Sequence, residues 1–169
     1  VEKGYTFVHP TWSPDGSRLY FATDLPSPES QGGIDLWYSD RNGTFWEEPI
    51  NLGPTVNTSG DEVFPSFDAE GKLYFSSNGH PSLGGLDIYS TERIPTNSES
   101  QRNWRDGDEW TAPQRMPFPV NTLSDDHSFA SVANQGNSGG FQIPKPVTLS
   151  ENCLVSINSL SISLRVSSA

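Results

Sequence analysis

The chain has 169 residues, enough for one ordinary domain with a real core. Of these, 33% are hydrophobic, 11% are aromatic, and 15 Gly and 14 Pro supply turns, which favours many short strands over long helices. A net charge of −11 argues against a phosphate-binding surface and so against nucleic acid, the single Cys153 excludes an internal disulfide, and no apolar run is long enough to span a bilayer.

Taken from the N-terminus, the first strong signal is Pro10-Thr11-Trp12-Ser13-Pro14-Asp15-Gly16. It returns as Pro65-Ser66-Phe67-Asp68-Ala69-Glu70-Gly71, at an offset of 55 residues. Each copy reads as a first strand ending in a turn where Gly16 or Gly71 takes a positive φ, with Asp15 fixing the first of these turns. A second strand is predicted over Leu19–Thr23 and again over Leu73–Ser77. A third follows the Gly32-Gly33 and Gly84-Gly85 pairs, over Ile34–Ser39 and Leu86–Thr91. Its period of two sets Ile34, Leu36 and Tyr38 on one face and Asp35, Trp37 and Ser39 on the other.

Asp40-Arg41-Asn42-Gly43 is a hairpin signal, and Phe45-Trp46 opens a fourth strand. The fourth-strand motif recurs at Glu109-Trp110, and Val56-Asn57-Thr58 recurs at Val120-Asn121-Thr122, both at an offset of 64. The larger offset demands a longer connection between Tyr89 and Trp110, where Pro95–Gln101 is polar and reads as a surface loop. The fold class expected is all-β: four-stranded antiparallel units in tandem, none able to bury its own face alone, as in a β-propeller fragment. Two repeats span residues 1–55 and 56–119. A partial third spans 120–141, with Asn134-Gln135-Gly136 as its turn and Gly139-Gly140-Phe141 as its last repeat-like residues. Residues 142–169 form an atypical tail in which Leu160–Val166 alternates like a strand.

The run Ser13-Pro14-Asp15-Gly16 with Leu19-Tyr20-Phe21 resembles the repeat of TolB-like β-propellers. Phe75–Pro81 with Gly84-Gly85-Leu86-Asp87-Ile88-Tyr89, and Pro119–Thr122 with Ser124-Asp125-Asp126, are similar to propeller regions of OmpA-family, peptidoglycan-associated outer-membrane proteins. The likeness covers roughly residues 5 to 133. It implies a non-enzymatic interaction or scaffold module of the bacterial cell envelope, periplasmic or outer-membrane associated, that binds protein partners and is not itself inserted in the membrane. Since propellers close with about four to eight blades, the remaining blades or self-association are expected to complete it.

Asp35 and Asp87 follow Gly33 and Gly85 at equivalent places, and duplication in both repeats points to turn-fixing carboxylates rather than ligands. Trp12, Trp37, Trp46, Phe67 and Trp110 also recur in register, which points to the core rather than to sugar platforms. His9, His80 and His127 have no metal-ligand spacing, and Asp61-Glu62 and Asp125-Asp126 read as a solvated acidic rim. Neither a catalytic set, a metal site nor a cofactor is therefore expected. Loop residues that differ between copies, Glu29 and Gln31 in one and Asn78 and His80 in the other, are the candidate binding positions. The alternative is a carbohydrate-processing propeller, sialidase- or glycosidase-like, with its catalytic residues on further blades. Ser39–Trp46 resembles the aspartate box of sialidases, but Arg41 stands where that box has an acid.

Overall fold

The computed structural model describes residues 4–95, 104 and 108–130, all within the compact unit Val1–Gly139. The expected turn at Asn134–Gly136, the Gly139–Phe141 motif, the Leu160–Val166 strand and most of the Pro95–Gln101 loop lie outside the described residues. The described residues contain strands and turns and no helix.

The first sheet is built from β1 (Phe7–Trp12), β2 (Arg18–Thr23) and β3 (Asp35–Asn42) in a meander. Its outer edge is shared by two short strands, β4 (Phe45–Trp46) and β5 (Ile50–Asn51), both antiparallel to β3. The second sheet runs β6 (Glu62–Phe67), β7 (Leu73–Ser77), β8 (Asp87–Thr91) and β11 (Gln114–Arg115). A separate ribbon pairs β9 (Arg93–Pro95) with β10 (Asp108–Trp110). The fourth strand expected in each repeat is thus split in two at the same place. β4 and β10 carry the Trp motif, while β5 and β11 complete the sheet. The β9–β10 ribbon of the second repeat has three residue pairs where the β3–β4 pairing of the first has two.

Register is common to both repeats: Phe21 faces Trp37 and Thr23 faces Asp35, as Phe75 faces Tyr89 and Ser77 faces Asp87. The turns follow from local chemistry. Gly16 and Gly71 have φ of 71° and 89°, and Gly43 closes the β3–β4 hairpin at 60°, all in the region that glycine enters without a Cβ penalty.

The sheets stack head to tail. One core joins Tyr20, Ala22, Leu36, Tyr38 and Val56 of the first repeat to Val63, Leu73, Phe75, Tyr89 and Trp110 of the second. Leu73 and Phe75 are the sequence equivalents of Leu19 and Phe21, yet Leu19, Phe21 and Trp37 form a separate cluster on the other face of the first sheet. Each sheet therefore offers a Leu-x-Phe face to one side and a Tyr-x-Ala or Tyr-x-Ser face to the other. Burying a side chain such as Leu73 fully contributes about 1.5–3 kcal/mol. Trp12, expected in the core, is 44% exposed and packs against Trp46 at 5.3 Å. Its equivalent Phe67 instead packs between the sheets against Tyr20.

Arg18 is fully buried at the start of β2. Its guanidinium donates to both carboxylate oxygens of Asp40, at 2.8 and 3.1 Å, and lies 3.7 Å above the Tyr38 ring. The bidentate geometry and the ring together replace the hydration that burial removes.

Candidate functional site

The first strands of the first two repeats, β1 and β6, carry the same distortion. His9, Phe64 and Ser128 have φ of 53°, 56° and 57° and are the non-glycine left-handed residues among those described. They occupy one repeat position, and in β1 and β6 that position coincides with a register shift, between Val8 and Thr11 and between Val63 and Ser66. A left-handed non-glycine residue costs on the order of 1–3 kcal/mol and persists where its surroundings over-determine it. Here a β-bulge bends the strand and re-aims the side chain.

The outcome is a pair of rings across the adjacent strands β1 and β6, extended by the ring of His127. β6 packs against β1, and the His9 and Phe64 rings meet with centroids 3.8 Å apart and planes inclined by 33°. Phe64 in turn meets His127 edge-on at 5.7 Å. His9 and Phe64 are half-buried, whereas His127 is exposed. The Nδ1 atom of His9 is buried with no hydrogen-bond partner, and burial holds the imidazole pKa below its ordinary value. Burial thus favours the neutral form of the His9 imidazole within this aromatic strip, and the exposed His127 ring lies at its end.

A second device fixes successive repeats to each other. Ile34 N–H donates to Asp61 Oδ1 at 2.9 Å, and Glu62 N–H donates to Ile34 O at 2.7 Å. The next joint repeats both bonds: Leu86 N–H to Asp125 Oδ1 at 3.0 Å, and Asp126 N–H to Leu86 O at 2.7 Å. The Gly-Gly pairs make this approach possible. A Cβ on Gly33 would stand 2.3 Å from Asp61 Oδ1, and one on Gly85 would stand 1.7 Å from Asp125 Oδ1. The acidic pairs are thus only in part a solvated rim, since Asp125 is exposed and Asp61 half-buried while the second member of each pair is not. Glu62 is fully buried and Asp126 is buried, and burial raises the Glu62 pKa although Ser77 and Thr58 donate to its carboxylate.

Asn57 and Asn121 complete the joints. Asn57 accepts from Leu36 N–H at 2.8 Å and donates to Leu36 O at 2.9 Å. Asn121 holds Ile88 the same way, at 2.8 Å for both bonds. Each amide thereby imitates a ladder partner for the third strand.

The residues singled out from sequence fall into two groups. Asp35 Oδ2 accepts from Gln31 N–H at 2.7 Å and from Asn51 Nδ2 at 3.0 Å. Asp87 Oδ2 accepts from Leu83 N–H at 2.6 Å and has Arg115 at 3.8 Å. In both, Oδ1 is buried and unpartnered. Asp15 ties down its turn: burial pushes its pKa up, but bonds from Ser13 and Ser17 outweigh that and hold it below the ordinary value. Of the loop candidates, Asn78 accepts from Asp61 N–H, and His80 Nε2 lies 2.8 Å from Val56 O while its ring packs on Tyr89. Asn78, Glu29 and Gln31 are exposed and His80 is half-buried, and Gln31 Nε2 donates to Glu29 O at 2.7 Å. The structure does not bring the loop candidates to the ring row.

Comparison with known families, curated proteins and solved structures returned no match. Among the described residues no three His, Cys, Asp or Glu side chains converge as a metal site. No short-range pattern in the sequence marks Phe64, Asp61, Asn57 or their equivalents as partners. The available signal was the recurrence of Val-Asn-Thr and of the acidic pair at the offset of the fourth-strand motif.

Proposed function

We propose that this chain is a run of TolB-like β-propeller blades acting as a non-enzymatic protein-interaction module of the bacterial cell envelope. The observation that carries this reading is the left-handed position shared by His9 and Phe64 on the first strands of two successive repeats, whose rings meet each other and the ring of His127. Head-to-tail stacking supports the propeller. The first sheet meets the second with its Tyr-x-Ala face and the second answers with its Leu-x-Phe face, a heterologous contact of the kind that propagates until a ring closes. The first strands then line the axis of the ring. Strained residues held there by repeated joints form a prepared surface. Its rings and neutral imidazole suit apolar and hydrogen-bonding contact with a protein segment rather than proton transfer.

A photo-cross-linking amino acid at His127, which is exposed, should capture a discrete protein from envelope extracts. The same probe at Glu29, on the remote loop, should not capture that protein. Equal capture at both positions would remove the ring row from the interaction, and turnover of a glycoside panel by the purified chain would favour a carbohydrate-processing propeller instead.

A further inference from the structure

His9 and Phe64 fill one repeat position with chemically different rings, and only one of the two can take up a proton. The imidazole lies on the phenyl ring across the joint between the first two repeats, its Nδ1 buried without a partner. We propose that this stack is an acid-sensitive joint, closed while His9 is neutral and loosened when its imidazole is protonated. The inference rests on the stacked pair itself and stands apart from the propeller reading and from any partner.

Protonation has two opposed consequences. An imidazolium over Phe64 gains a cation–π attraction. Both ring nitrogens then carry a proton, however, so the buried Nδ1–H is a donor with no acceptor, and the charge is taken from water into a half-buried contact. The second effect is the larger, in keeping with the lowered pKa that burial gives His9. The titratable or charged groups of the strands packed against β1 are engaged elsewhere. On β2, Arg18 is bonded to Asp40 and the Tyr20 ring packs on Tyr38 and Phe67. On β6, the Glu62 carboxylate is taken by Thr58 and Ser77. His127 lies on Phe64 in the neighbouring joint.

The sign follows from linkage. A histidine whose folded pKa lies below its unfolded value contributes its full stability above the ordinary 6.5 and loses it as the pH falls below that point. Two variants remove the titration without changing the backbone requirement. His9→Phe copies the residue that occupies the equivalent left-handed position at Phe64, and His9→Asn uses a side chain that tolerates this region. Denaturant unfolding of the full chain is measured at about pH 7.5 and about pH 5.5, on either side of ordinary histidine titration. The folding equilibrium constant of the wild type should fall further than that of either variant, by up to about tenfold per pH unit. Carboxylates common to all three proteins cancel in the comparison. NMR titration of the wild type should place His9 below 6.5. Equal acid losses in wild type and either folded variant, or a His9 that titrates at or above 6.5, would overturn the proposal.

Discussion

Asp35 and Asp87 spend one carboxylate oxygen on the backbone four residues before them, through Gln31 and Leu83. The other oxygen is buried and unpartnered in both repeats. A carboxylate so enclosed is costly unless the turn needs it, and the turn does, because its amide would otherwise be a donor without an acceptor. Changing either residue to Ala should therefore lower stability by about 1–3 kcal/mol, read as a shift in denaturant midpoint. The two losses should match within the scatter expected of equivalent sites. If neither variant shifts, the carboxylates are not staples and their free oxygens belong to a ligand.

At the scale of the element, the joint depends on two backbones meeting without a Cβ between them. Gly33→Ala and Gly85→Ala each thrust a methyl into an aspartate carboxylate that is itself bonded to the next residue's amide. Overpacking of this kind costs about 1–3 kcal/mol. Gly4→Ala, where nothing lies within 4 Å and φ is not left-handed, should change stability by less than about 0.5 kcal/mol. Thermal melts of the three variants provide the comparison, and a neutral result at both Gly33 and Gly85 would show that the joint yields easily. The Gly-Gly pair was legible in the sequence as a repeated block. Its purpose was not, since the group that needs the space is Asp61, on the following repeat.

Over the molecule as a whole, one core draws residues from both sheets, and Trp104 and Trp110 close it. Neither sheet can lose its partner without exposing that shared surface. The two sheets should therefore unfold together, with strand signal by far-ultraviolet circular dichroism and tryptophan fluorescence following one transition. Two resolved steps would mean that the repeats are stable separately and that the joint is a contact between independent units.

The sequence by itself determined the all-β class, the order and spacing of the first three strands of each repeat, the turns at Gly16, Gly43 and Gly71, and the division of the third strand into two faces. Those features are written in short-range chemistry: side-chain period, glycine conformational freedom and motif recurrence. Only the tertiary structure decided which neighbour each face meets. Trp12 and Phe67 hold the same repeat position, but Phe67 packs against the other sheet while Trp12 remains 44% exposed. The acidic pairs read as solvent-facing because their donors, Ile34 and Leu86, are 27 and 39 residues away. The left-handed row was hidden for a further reason: His, Phe and Ser share no local signal for positive φ. The conformation is imposed by bulges and by packing between repeats, where the stacked rings and the backbone joint outweigh the local preference of each residue.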